Sequence, residues 1–198
     1  MSALDTSASE PAPAERQAAP PEGPGGAGRG RTIWLTGLPS AGKSTIARAL
    51  EKRLLDRGER VEVLDGDVVR EHLTKGLGFS REDRDENVRR IGFVANLLAR
   101  NGVTVICPVI APYRATRDDV RRSHEARFVE VYVSTPVDVC SDRDVKGLYA
   151  KQRAGEISGL TGVDDPYEPP LAAELEIPTQ HLSVDEAVER VLGVLEAQ

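Results

Sequence analysis

The sequence predicts an α/β fold, a three-layer sandwich in which helices cover both faces of a five-stranded parallel sheet. From residue 31 onward, short apolar runs typical of buried strands alternate with stretches of helical periodicity. A glycine-rich motif, residues 37–44, joins the first run to the first helix. One segment, residues 143–170, is rich in Gly, Pro and charge. A connection of that length inside a domain is usually functional, and we expect a lid.

The elements follow in order along the chain. Strands are predicted at Thr32–Thr36, Arg60–Leu64, Val103–Pro108, Phe128–Val133 and, more weakly, Leu175–Thr179. Helices are predicted at Lys43–Arg57, Val68–Lys75, Arg84–Asn101, Arg117–Glu125, Pro136–Asp142 and Val184–Ala197. Asn101 followed by Gly102 is typical of a helix C-terminus, and residues 183–186 fit a capping box that opens the last helix.

Composition limits the partners and the compartment. Residues 1–30 are dominated by Pro, Gly and Ala, so we expect a disordered tail before one domain over residues 31–198. The formal net charge of -6 is not the basic footprint of a nucleic-acid binder, and no apolar run approaches the ~18 residues of a membrane span. Cys107 and Cys140 are expected to be reduced structural thiols. We therefore expect a cytoplasmic protein that binds neither nucleic acid nor membranes.

Residues 37–44, GLPSAGKS, fit the phosphate-binding pattern G-x-x-x-x-G-K-[ST] between a strand and a helix. Its glycines let backbone N–H groups point at phosphate oxygens, and the helix N-terminus adds a positive dipole end. Lys43 is expected to reach the β- and γ-phosphates, and Ser44 to bind Mg²⁺. Without ligand, we expect the ammonium of Lys43 to face solvent. The motif predicts a P-loop kinase-type sandwich that handles a nucleoside triphosphate.

Asp65 stands at the predicted carboxyl end of the second strand, the edge that faces the ligand crevice in parallel sheets. There it could orient an attacking hydroxyl, accept its proton or support Mg²⁺ through water. Asp67, two residues on, is the expected N-cap of the following helix.

A second cluster surrounds Ser80, the predicted N-cap of the third helix. Arg84 and Asn87 share one face near the start of that helix, where they suit a phosphate or ribose, although charged residues there usually form a solvated face. Phe79 lies in a Gly-flanked turn, as a packing residue or as a platform for a base.

The third cluster is the lid. Lys146 lies near its start, where a cation can fold over phosphates and neutralise charge in transfer. The alternative is a solvated connector.

Together these motifs resemble the adenylyl-sulfate kinase family over residues 31–170. The matching stretches are GLPSAGKST at 37–45, LDGD at 64–67, LGFSREDRDENVRRIG at 77–92, APYR at 111–114, RDVKGLYAKQRAG at 143–155 and TGVDDPYEPP at 161–170. They keep the family's order and spacing. The P-loop occurs in many families, whereas the combination is close to diagnostic.

The resemblance implies an Mg²⁺- and ATP-dependent kinase that phosphorylates the 3′-hydroxyl of adenosine 5′-phosphosulfate. The ATP-binding residues that it implies are Gly37, Leu38, Pro39, Ser40, Ala41, Gly42, Lys43, Ser44 and Thr45. The substrate-binding residues that it implies are Asp65, Gly66, Asp67, Arg70, Phe79, Arg84, Asn87, Ile110, Ala111, Lys146, Gly159 and Leu160. Catalysis is assigned to Lys43, Asp65 and Lys146, and the metal to Ser44. A homodimer and functional coupling to sulfate adenylyltransferase are compatible with the family, and the sequence determines neither.

Two positions depart from the family pattern. Ala111 stands where many members carry a serine once proposed as a phosphorylated intermediate, so that covalent route is closed here. Leu160 stands where many members carry an aromatic, so we expect the substrate adenine between Phe79 and an aliphatic side chain.

Two other functions stay open. A related kinase could act on another nucleotide or small hydroxyl acceptor, because the fold and the P-loop do not name the acceptor. A nucleotide-dependent switch is disfavoured, because the chain has no N-K-x-D motif for reading a guanine base.

Overall fold

The computed structural model describes residues 30–197, and the predicted tail, Gly30 excepted, lies outside the described residues. The strands are β1 Arg31–Thr36, β2 Val61–Val63, β3 Thr104–Pro108, β4 Arg127–Val133 and β5 Leu175–Ile177. The helices are α1 Lys43–Asp56, α2 Gly66–His72, α3 Arg81–Arg100, α4 Arg114–Ser123, α5 Val137–Arg143, α6 Leu148–Arg153 and α7 Val184–Glu196.

The five strands form one sheet in the order β2-β3-β1-β4-β5, and every pairing is parallel. Along β1 the side chains alternate between two apolar clusters: Ile33 and Leu35 belong to one, and Trp34 to the other. This alternation follows from the two-residue period of a strand, and it gives the central strand two buried faces.

Helices cover both faces. The cluster around Ile33 includes apolar residues of α1 and α7, such as Leu50 and Val191. The cluster around Trp34 includes residues of α3 and α4, such as Ile91 and Val120. The predicted three-layer sandwich with a five-stranded parallel sheet is therefore confirmed. Each helix within residues 30–197 is too short or too polar to cross a bilayer.

The predicted strands and helices all occur, with shifted ends, and one helix was missed. Helix α6 lies inside the segment predicted as an irregular lid. It is short, and its start is held by the carboxylate of Asp144, which accepts hydrogen bonds from the amides of Tyr149 (3.0 Å) and Ala150 (2.8 Å). Tyr149 is buried, so this part of the lid has a core face that the composition did not reveal.

The strand order places a crevice between the loops that follow β1 and β3. The chain leaves β1 towards the β2 edge, on the face of α1, and leaves β3 towards the β5 edge, on the face of α4. In open parallel sheets, ligands bind where neighbouring loops diverge in this way. The P-loop and residues 109–113 form the two walls of this crevice.

Candidate active site

The P-loop has the backbone that close approach to phosphate requires. Gly42 precedes α1 with φ 106°, and Ser40 also has a positive φ of 61°. At Gly37 an added Cβ would lie 2.5 Å from the carbonyl oxygen of Val133, so a larger residue would push the loop off β4. The loop can therefore turn from strand to helix within a few residues, as binding of an anion by backbone N–H groups requires.

Lys43 does not face solvent, and that expectation was wrong. The residue is 8% exposed, and its Nζ donates to the carbonyl oxygens of Gly37 (3.0 Å) and Leu38 (2.7 Å). These carbonyls offer the ammonium local acceptors when no phosphate is present. Burial, with a smaller effect from the charge of Lys146, lowers the pKa of Lys43 to about 8, against the opposing effects of Cys140, Asp65 and Asp67.

Ser44 and Asp65 lie side by side at this edge of the sheet. Ser44 Oγ donates to Asp65 Oδ2 at 3.4 Å, and both residues are partly exposed. A hydroxyl beside a carboxylate, next to a phosphate-binding loop, suits Mg²⁺, which takes a few protein oxygens and completes its shell with substrate phosphates and water. Within residues 30–197, no group of three or more His, Cys, Asp or Glu side chains could hold a metal ion.

Asp65, rather than Asp67, is the N-cap of α2. Its Oδ1 accepts a hydrogen bond from the amide of Asp67 at 3.0 Å. The cap was predicted two residues too late because both aspartates suit the position and the sequence does not show where β2 ends. Asp65 therefore combines capping through one oxygen with contact to the P-loop through the other. Asp67 is exposed, and its carboxylate forms an ion pair with Lys146 of the lid.

Phe79 is an exposed platform between two arginines. Its side chain is 67% exposed, with the guanidinium of Arg70 at 4.5 Å from the ring centroid and that of Arg84 at 5.8 Å. Arg70 also donates to the carbonyl oxygen of Gly78 at 3.2 Å. An aromatic ring held by cations and left open is suited to stacking a planar ligand.

Arg84 and Asn87 are buried, so the solvated-face alternative does not apply to them. Ser80 caps α3 as predicted, and both side chains lie on one helical face. Arg84 donates from Nε to the carbonyl oxygen of Phe79 (2.8 Å) and from Nη1 to Thr161 Oγ1 (2.6 Å). Asn87 accepts from Thr74 Oγ1 at 2.8 Å.

The lid turn contacts this cluster through its backbone. The carbonyl oxygen of Gly159 accepts from Arg84 Nη2 at 2.5 Å, and the amides of Gly159 and Leu160 donate to Asp164. Those amides, the Gly159 amide first, hold the pKa of Asp164 below its usual value. Leu160 is 6% exposed and belongs to the same apolar cluster as Ile33, with Leu38 packed against that cluster.

The loop after β3 carries Ile110 and Ala111. The carbonyl oxygen of Ile110 accepts from Thr36 Oγ1 at 2.6 Å, which ties this loop to the end of β1. Ala111 is buried and has φ 43°, a left-handed conformation that is uncommon outside glycine. Gly66, at the start of α2, would place an added Cβ 3.8 Å from the carbonyl oxygen of Pro108. The structure therefore brings the three post-strand loops to one edge of the sheet.

Sequence reasoning missed three polar residues behind this edge, the buried Arg117 and Glu130 and the partly buried Tyr167. Arg117 is 1% exposed and pairs with Glu130 of β4 at 2.9 Å, and Tyr167 Oη lies 3.0 Å from Thr36 Oγ1. No sequence pattern marked Arg117 as buried, because it lies in a helix in which most residues are polar. Tyr167 was within a quoted motif but received no role.

The family whose sequence pattern is described as adenylylsulphate kinase matches residues 29–178. The chain belongs to the adenylylsulphate kinase family. It is 60% identical over 168 residues to the adenylyl-sulfate kinase of Rippkaea orientalis, covering 85% of this chain and 92% of that protein. It is 52% identical over 168 residues to that of Halothermothrix orenii, covering 85% and 90%. Membership makes the chain a nucleotide-binding kinase, an enzyme of the transferase class.

Solved structures of adenylylsulphate kinases agree with this fold. The APS kinase CysC of Mycobacterium tuberculosis, in complex with AMPPNP and APS, is 45% identical with a TM-score of 0.81, covering 85% of this chain and 99% of that one. A hexameric APS kinase from Thiobacillus denitrificans has a TM-score of 0.66 at 45% identity, covering 85% and 29%. A sugar kinase from Janibacter sp. HTCC2649, 18% identical with a TM-score of 0.56, shares the fold alone.

Proposed function

We propose that the chain transfers the γ-phosphate of ATP to the 3′-hydroxyl of adenosine 5′-phosphosulfate, giving 3′-phosphoadenosine 5′-phosphosulfate and ADP. The placement of Asp65 carries the proposal. One of its oxygens accepts from Ser44 of the P-loop, and its backbone opens the helix that carries Arg70. A single carboxylate thus stands between the donor loop and the acceptor-side residues.

The donor half uses the P-loop. Its N–H groups and the N-terminus of α1 bind phosphate oxygens, and Lys43 exchanges the carbonyls of Gly37 and Leu38 for the β- and γ-phosphates. Bound Mg²⁺, held at Ser44 Oγ with Asp65 beside it, would neutralise phosphate charge. An ammonium that is already desolvated interacts more strongly with a developing negative charge than one in water.

The acceptor half uses the cluster around Phe79. The exposed ring stacks the adenine, and the guanidinium groups of Arg70 and Arg84 beside the ring bind the anionic phosphosulfate. Lys146 exchanges the carboxylate of Asp67 for substrate charge when the lid closes. The sulfate contributes to recognition through these cations.

The chemical step is a direct in-line displacement. The 3′-oxygen of the acceptor forms a bond to the γ-phosphorus while the bond to the β-phosphate oxygen breaks, and Asp65 orients the hydroxyl and takes its proton. Ala111 has no hydroxyl, so no phosphoserine forms at that position. Positioning and charge stabilisation provide most of the catalysis in this class of reaction.

We place this activity in sulfate assimilation in the cytoplasm, in a homodimer coupled functionally to sulfate adenylyltransferase. Cys107 and Cys140 are both buried free thiols, as a reducing compartment favours. The hexameric relative supports self-association in the family. Size-exclusion chromatography with light scattering tests the dimer.

An acceptor panel tests the activity. Purified protein with MgATP should convert adenosine 5′-phosphosulfate to its 3′-phosphate, resolved by ion-exchange chromatography, and should use adenosine 5′-monophosphate poorly. Gluconate and other small hydroxyl compounds should give no ADP above background. Equal turnover of the phosphosulfate and the monophosphate would overturn the substrate assignment.

A further inference from the structure

Arg117 joins two segments of the site from behind. The first is the acceptor segment, residues 109–113 after β3, and the second is the lid return, residues 165–170. Arg117 Nη1 donates to the carbonyl oxygen of Ala111 and Nη2 to that of Glu168, each at 2.6 Å. Its Nε donates to Glu130 Oε1 at 2.9 Å. All three nitrogens of the guanidinium thus donate hydrogen bonds, one to a buried carboxylate and two to backbone carbonyl oxygens.

Other bonds between the two segments run in parallel with this one. The amide of Glu168 donates to the carbonyl oxygen of Pro112 at 2.9 Å, and Glu168 Oε2 accepts from the amide of Arg114 at 2.8 Å. Tyr167 Oη lies 3.0 Å from Thr36 Oγ1, which itself donates to the carbonyl oxygen of Ile110. The acceptor segment and the lid return are therefore held as one unit, with Arg117 at its centre.

Two features indicate a role beyond stability. Ala111 has φ 43°, and a non-glycine residue keeps such a conformation only where its surroundings over-determine it. The Arg117 bond to its carbonyl is one such constraint. In addition, a buried ion pair adds little net stability, because the desolvation of both charges offsets their attraction. Stability alone therefore does not explain why Arg117 and Glu130, 1% and 4% exposed, are buried here.

We infer that Arg117 is a positioning residue that sets the acceptor side of the site by fixing the acceptor segment against the lid return. Glu130 orients its guanidinium from β4. This inference rests on the proposed function, because it assigns the two segments to binding of adenosine 5′-phosphosulfate. Arg117 itself bonds only Glu130, Ala111 and Glu168 and no residue of the P-loop, so ATP binding should depend on it far less than acceptor binding does.

The test compares Arg117→Lys with a matched control, Arg121→Lys. Lysine keeps the charge beside Glu130 but cannot reach both carbonyls with one ammonium. Arg121 is one turn further along α4 and pairs with the same Glu130 at 3.4 Å and with Glu174 at 2.6 Å. Its side-chain hydrogen bonds go to these two carboxylates, not to Ala111 or Glu168. Arg117→Lys should lower kcat/KM for adenosine 5′-phosphosulfate at least tenfold, with KM for ATP within twofold, and Arg121→Lys should change neither.

Hydrogen exchange gives a second readout that is independent of activity. Amides of residues 109–114 and 165–170 should exchange faster in Arg117→Lys and not in Arg121→Lys. If Arg117→Lys does not fold, Arg117→Met with Glu130→Gln removes both buried charges together and is measured in its place. If the wild-type protein does not phosphorylate adenosine 5′-phosphosulfate, the proposed function fails, and hydrogen exchange alone decides this inference. Unchanged exchange in the two segments, or equal losses for both substrates, would overturn it.

Discussion

The ammonium of Lys43 donates a 2.7 Å hydrogen bond to the carbonyl oxygen of Leu38, so the lysine of the P-loop bonds its own loop. Burial lowers its pKa to about 8, and part of the population is neutral at pH 8.5. Phosphates favour the charged form, so binding of AMPPNP near pH 8.5 should take up protons. Calorimetry in two buffers of different ionisation enthalpy measures the uptake. Lys43→Met should abolish it, and equal heats for the wild-type protein in both buffers would contradict the prediction.

Lys43→Met should also separate activity from stability. We expect turnover to fall by about a hundredfold or more, because the variant lacks a charge that stabilises the transition state. The pKa of Lys43 in the folded protein is about 8, below the ordinary lysine value of 10.5, so burying the charge costs stability at neutral pH, and this cost fades as the pH rises towards 10.5. The variant should therefore be at least as stable as the wild type at pH 7 by thermal denaturation. A folded variant with normal turnover would refute the role of the lysine.

Asp65→Asn should keep the fold and lose the chemistry. Asparagine is as good an N-cap as aspartate, so the bond from the Asp67 amide survives and the melting temperature should change little. The variant lacks the carboxylate that orients or deprotonates the acceptor hydroxyl, and kcat should fall by about a hundredfold or more. Steady-state kinetics and thermal denaturation measured on one preparation distinguish the two effects. A large loss of stability would mean that capping explains the phenotype.

The sequence predicted the sheet well, because strand periodicity and turn residues are local signals. Ser80 and the capping box at Ser183 were recognised for the same reason. Helix α4 begins three residues before its predicted start, because the amide of Arg114 bonds Glu168, a partner 54 residues away. A cap supplied by a distant side chain leaves no local pattern.

The sequence predicted which loops meet at this edge of the sheet better than it predicted the contacts that their side chains make. The sequence predicted that Ser44 and Asp65 lie near each other, because each follows a strand and the carboxyl ends of parallel strands meet at one edge of the sheet. The burial of Lys43 and Leu160 depends on which tertiary partners are nearby, and neither could be read from adjacent residues. The same applies to Arg117, whose three partners lie on three different segments.

His124 should make the fold sensitive to mild acid. Burial lowers its pKa, its Nδ1 lies 2.8 Å from the carbonyl oxygen of Val120, and its ring packs edge-on against Phe128 at 4.7 Å. Below pH 6.5 the unfolded chain binds a proton that the folded protein resists, so stability should fall as the pH drops from 6.5 towards the folded pKa. Urea denaturation from pH 7.5 to 5 measures the slope. His124→Phe should reduce it, and replacement of the exposed His72 should not; an unchanged slope in His124→Phe would exclude this source.

Ala111→Ser should introduce a hydroxyl at this position without creating a phosphorylated enzyme intermediate. Ala111 is 3% exposed with its carbonyl held by Arg117, so the new hydroxyl must find a partner in a buried place, and stability should fall by about 1 kcal/mol. Turnover should change less than threefold, because in-line transfer uses Asp65, Lys43 and the lid cations and needs no group at this position. With chiral γ-thiophosphate ATP, the wild type and the variant should both invert the configuration at phosphorus, since one displacement inverts and two retain. Net retention, or radiolabel from ATP trapped on the protein at a rate that matches turnover, would show a covalent intermediate and reject the single displacement.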